Sequence, residues 1–126
     1  MAVDAIAAAH AETTRLGLRE IVERLNRHLG ATLVATLAGV SDRKLPYRWA
    51  REGGGTPNKE AARRLTAAHR IWVQLADAES DDVARAWLVG ENPYLDEQAP
   101  VLALREGKVR ETLRAAQAFL DSTWQG

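Results

Sequence analysis

The side chains able to do chemistry are few, and their types exclude more than they support. Cysteine is absent, so there is no thiolate nucleophile, no disulfide and no thiolate metal site. His10, His28 and His69 lack the spacing of metal ligands. The Gly-rich "GGGTPNK" at residues 53–59 lacks the Gly-Lys-Ser/Thr ending that a phosphate loop needs to reach nucleotide and metal. No serine sits in a nucleophile elbow. Asp81 and Asp82 are adjacent carboxylates, but they suit the positive end of a helix better than acid–base work. The reading is of a chain that is not an enzyme and takes no metal and no cofactor.

What remains is charge. Net charge is zero, but its distribution is uneven. Residues 43–70 hold Arg43, Lys44, Arg48, Arg51, Lys59, Arg63, Arg64 and Arg70 against only Glu52 and Glu60. Residues 71–100 hold Asp77, Glu79, Asp81, Asp82, Glu91, Asp96 and Glu97 against only Arg85. A basic stretch followed by an acidic one fits two surfaces with different partners, and equally fits two solvated helix faces.

The elements that carry these charges are helical by period. Leu18, Ile21, Val22, Leu25 and Leu29 form one apolar stripe, which Gly30 ends. A short helix follows over about 32–38, closed by Gly39. After the glycines, Thr56 as N-cap with Pro57 at the first helical position predicts a long helix to about Ala76, burying Leu65, Ala68, Trp72 and Leu75. Ser80 is expected to cap the next, with Val83, Ala84, Trp87 and Leu88 inward and Pro93 blocking continuation. Pro100 opens another short helix and Gly107 closes it. A last one, over about 108–121, buries Val109, Leu113, Ala116 and Leu120. The segment "DAIAAAHAETT" near the start is also expected to be helical. No stretch alternates with period two, so the fold class is all-α. No apolar run approaches the roughly 20 residues of a membrane span, and the N-terminus lacks a signal-peptide pattern. The expectation is a cytoplasmic protein with no membrane contact.

"VATLAGVSDRKLPYRW", residues 34–49, has the spacing of a helix-turn-helix. Ala35 lets two helices approach, Gly39 makes the turn, Val40 plugs the core beneath it, and Leu45 and Trp49 face inward. Ser41 could cap the second helix, but Pro46 would then fall at its fifth position. A start near Leu45 avoids that clash and gives a longer turn and a shorter helix. Either way the outward side offers Ser41, Arg43, Lys44, Tyr47, Arg48 and Arg51, which can neutralise phosphates or bond guanine edges. The same helix pair could serve as scaffold alone.

With these motifs in place, the chain resembles a known family. "VATLAGVSDRKLPYRWAREGGGTPNKEAARRL" resembles the N-terminal half of Xre/MbcA/ParS-type antitoxins, and "AWLVGENPYLDEQAPVLALREGK" resembles their C-terminal toxin-binding region. The second pattern is carried by Trp87, Leu88, Asn92, Pro93, Leu95, Pro100, Leu104 and Gly107. Here Leu45 and Trp49 enclose three residues where the family pattern has two. The resemblance implies a helix-turn-helix unit, residues 1–55, packed on a helical toxin-binding unit, residues 56–126. It implies a homodimer that binds and neutralises a RES-domain, NAD-degrading toxin and represses the shared operon by binding operator DNA. The toxin-facing residues would be Asn92, Tyr94, Asp96 and Glu97, beside Gln98, together with the tail Thr123, Trp124, Gln125 and Gly126. Trp124 has two readings: folding back onto the core, or plugging the toxin's cleft. A stand-alone helix-turn-helix regulator without a toxin is the competing function.

Overall fold

The computed structural model describes residues 17–125, with side chains through residue 122. Within those residues the fold is all-α. Helix α1 covers residues 17–29 of those described. It is followed by α2 (Ala31–Ala38), α3 (Lys44–Trp49), α4 (Lys59–Ala78), α5 (Asp81–Val89), α6 (Pro100–Arg105) and α7 (Val109–Gln125), with a 3-10 turn at Pro93–Leu95. Among the described residues, extended backbone pairs only as an isolated antiparallel bridge between Asn92 and Gln98. The helix expected near the start, in "DAIAAAHAETT", lies outside the described residues, as do the side chains of Thr123, Trp124 and Gln125, and Gly126.

The apolar stripes meet in one contiguous core. Val22, Leu25 and Leu29 of α1 join Val34 and Leu37 of α2, Trp49 of α3, Leu65, Ile71, Trp72 and Leu75 of α4, Leu88 of α5, Val101 and Leu104 of α6, and Val109 and Ala116 of α7. Each fully buried Leu among them contributes about 1.5–3 kcal/mol of transfer free energy. Leu113 and Leu120 are half-buried and pack against this core rather than within it. Residues before and after position 55 share the core. Helix α4 lies against α2, α5, α6 and α7, and α2 lies against α3, α4 and α6. A smaller cluster, Leu95, Ala103 and Ala115 with Trp87 against it, seats the 3-10 turn. No helix among the described residues is long and apolar enough to cross a membrane.

Helix boundaries follow the capping chemistry, with one departure from the sequence reading, at α4, and one of its two alternatives decided, at α3. At α4, Asn58 rather than Thr56 is the N-cap: it is extended, and its side chain accepts from the Ala61 N–H at 2.8 Å. Asn outranks Thr as a cap, and Pro57 is buried ahead of the helix instead of opening it. At α3, Ser41 is not the cap. Asp42 accepts the Lys44 N–H through Oδ1 at 2.9 Å, and its carbonyl accepts the Leu45 N–H at 3.2 Å. The helix therefore starts at Lys44, which places Pro46 in the first turn, where a missing N–H forfeits no intrahelical bond. Ser80 does cap α5, accepting from the Val83 N–H at 3.2 Å, with Asp81 and Asp82 in the first turn.

Candidate functional site

The basic face is built on the junction of α2 and α3. Gly39, at φ 77°, ends α2. The Gly39 N–H donates to the Thr36 carbonyl and the Val40 N–H to the Ala35 carbonyl, at 3.1 and 3.0 Å, which is the paired bonding of a Schellman motif. The next two carbonyls, of Leu37 and Ala38, accept from Arg64 of α4 through Nε at 2.8 Å and Nη2 at 2.7 Å. All four terminal carbonyls of α2 are thus occupied, and a cation sits at the negative end of the helix. The turn into α3 is held from both sides. Arg85 of α5 acts similarly on α1, with Nη1 on the carbonyls of His28 and Leu29 at 3.1 and 3.0 Å.

On α3, Pro46 and Trp49 are buried and Leu45 is half-buried against the core, while Arg43, Lys44, Tyr47, Arg48 and Arg51 are all exposed, as is Ser41. Tyr47 is 60% exposed. The structure thus gathers the sequence-derived residues of this set on the side of α3 away from its anchors. Ser41, Arg43, Lys44 and Tyr47 line an open groove of about 450 Å³, together with Asp42 and with Ala31 and Thr32 from the start of α2. The start of α2 and the two cations thus border one groove, an arrangement suited to a phosphate oxygen. The Asp42 carboxylate accepts from its own helix start. Behind α3, Gly54 passes so close that a Cβ would stand 1.8 Å from the Arg48 carbonyl oxygen; only glycine permits this return of the chain.

The acidic turn is the second assembly. Asn92 is 5% exposed. Its Oδ1 accepts the Tyr94 N–H at 2.9 Å, and its carbonyl accepts from Leu95 and Glu97 at 3.0 and 2.9 Å. Asn92 therefore shapes the turn from inside. Tyr94, 71% exposed, with Asp96 and Glu97, stands outside. Asp96 and Glu97 both adopt left-handed backbone, at φ 55° and 67°, a costly pair for residues with side chains. The exit is tied down: Gln98 Nε2 donates to Glu106 at 2.9 Å, and Lys108 Nζ reaches Gln98 Oε1 and Glu106 Oε2, each at 3.3 Å. Hydrogen bonds from Gln98 and Lys108, with the Lys108 charge, hold the Glu106 carboxyl below its usual range. Trp87 packs beneath, its ring 6.4 Å from that of Phe119 on α7.

Sequence reasoning missed the role of Arg64, which it counted only within the basic run of residues 43–70, and also that of Asn26. The Asn26 Nδ2 donates to the Pro46 carbonyl at 3.0 Å. Its signal was a polar residue at the edge of the Val22–Leu25–Leu29 stripe. Among the described residues, no three His, Asp or Glu side chains gather as a metal site. Comparison of the chain with protein-family models, with curated proteins and with solved structures gave no match.

Proposed function

We propose that this chain is an antitoxin: it binds and neutralises a RES-domain, NAD-degrading toxin and, as a homodimer, represses its own operon through a helix-turn-helix made by α2 and α3. The observation that carries the reading is the acidic turn. A Pro-punctuated segment buries its anchors Asn92, Leu95 and Pro100 and exposes Tyr94, Asp96 and Glu97 on a backbone fixed by internal hydrogen bonds. Side chains presented on a pre-ordered backbone lose less freedom on association than a loose loop would. An exposed aromatic ring at the centre of such a surface is a favoured anchor. This is the segment that resembles the family's toxin-binding region.

The basic face of α3 supports the operator-binding half of the proposal. Its exposed cations suit the phosphate backbone, and Arg48 and Lys44 are of the type that reads guanine edges. That face would serve equally in a stand-alone regulator, the second reading, because nothing in it requires a toxin. The test is whether a gene beside this chain's encodes a RES-domain enzyme and, where it does, co-expression of the two. Neutralisation predicts growth and normal NAD levels with the wild type, and weakened protection when Tyr94→Ala and Asp96→Lys are combined. Unrelieved toxicity with the wild-type chain would rule out the antitoxin reading and leave the regulator.

A further inference from the structure

Helix α3 is six residues long, and its hold on the body rests on Leu45, Pro46 and Trp49. Apolar contacts of that kind are non-directional. Directionality comes from α1, where the Asn26 Nδ2 donates to the Pro46 carbonyl at 3.0 Å. That carbonyl already accepts the Ala50 N–H at 3.3 Å, so Asn26 is not needed to satisfy it. The other end of the amide gains nothing: Asn26 Oδ1 is buried and has no hydrogen-bond partner among the described residues. The amide cannot turn over, since its oxygen would then face a carbonyl oxygen, acceptor against acceptor. A half-buried Asn that makes one bond and leaves one buried acceptor unpaired contributes little net stability, because the two effects are of comparable size.

We infer that Asn26 is a positioning residue for DNA binding: it fixes the tilt and rotation of α3 on α1 at the cost of an unpaired acceptor, and so aims Lys44, Tyr47 and Arg48. A directional bond at Pro46 sets the angle at which the residues on either side of it are presented. The inference rests on the operator-binding reading above.

The test separates aim from stability. Asn26→Leu removes the donor and the orphan acceptor together with the same number of heavy atoms; Asn26→Ala removes both with a smaller side chain and a better helix former. Both are expected to unfold at or above the wild-type temperature. Backbone amide NMR shifts of residues 44–50 should move, and promoter affinity should fall about tenfold, the equivalent of one well-placed base contact. A fall in melting temperature that accounts for the lost affinity would overturn the inference, leaving Asn26 a fold-holding residue. Unchanged shifts of α3 would overturn it as well. If the wild-type chain binds no promoter DNA at low salt, the operator-binding reading fails, and the amide shifts alone still decide whether Asn26 sets the position of α3.

Discussion

Replacing Arg64 by Ala removes the two bonds that close the C-terminus of α2. The guanidinium donates to the Leu37 and Ala38 carbonyls at 2.8 and 2.7 Å, distances typical of charge-assisted bonds. Such bonds contribute about 1.5–3 kcal/mol each when dry. The site is only part-buried, so water replaces part of what is lost, and the pair together is expected to contribute about 2 kcal/mol. For a chain of this size that lowers the melting temperature by roughly 6–10 °C. Thermal unfolding followed by circular dichroism reads it, with the exposed neighbour Arg63→Ala as control, expected within about 0.5 kcal/mol of wild type. Arg64→Lys should recover only part of the loss, because a point ammonium cannot present two fixed donors to two carbonyls. An Arg64→Ala variant no less stable than Arg63→Ala would refute the clamp.

Other expectations follow from the same geometry. Gly54→Ala should destabilise by roughly 1–3 kcal/mol through collision with the Arg48 carbonyl. Gly55→Ala meets open space but a φ of +88° and should cost about 1–2 kcal/mol from backbone strain alone; equal and negligible effects in urea titrations would contradict both. Burial, then the charges of Arg24 and His28, hold the His69 pKa below the ordinary imidazole value of 6.5. Below that pH the unfolded chain therefore takes up the proton first. The His69 contribution is fully present above pH 6.5 and declines as pH falls toward the folded pKa, and His69→Gln should flatten that slope. Promoter binding should weaken steeply with salt, and Arg43→Ala and Arg48→Ala should each reduce the salt slope by about 1; slopes matching wild type would place neither residue at a phosphate. Removing residues 123–126 leaves Phe119 and Leu120 on the core and tests the tail cleanly: full protection by this truncation against the toxin would exclude a plug.

How much was legible in the sequence depended on whether the signal was local. The stripe Val22–Leu25–Leu29, the Ser80 cap with Asp81 and Asp82, and the Gly39 and Gly107 terminators act over one or two helical turns, and their spacing alone located the helices. The N-cap of α4 was misplaced by two residues because Thr56-Pro57 and Asn58 are both plausible starts. Only packing, which buries Pro57, decides between them. The start of α3 was half legible: Pro46 argued against a cap at Ser41 and for a start near Leu45, but the Asp42 bonds that fix the start at Lys44 depend on the turn after Gly39. Arg64 and Asn26 were not legible as partners of α2 and α3, since each acts across 20 or more positions of sequence. Charge type placed Arg64 only in the basic run, and its bonding to α2 is a tertiary property. The basic set on α3 was found by composition, but its common exposure is set by Pro46 and Trp49 turning inward.

The most direct measurement is amide hydrogen exchange of this chain alone and mixed with the proposed partner, a RES-domain enzyme encoded by a neighbouring gene if one is found there. The account predicts a stable complex in which residues 92–98 and the last turn of α7 gain protection, while α3 exchanges as in the free chain. Absence of a complex at micromolar concentrations, or protection confined to other surfaces, would contradict it.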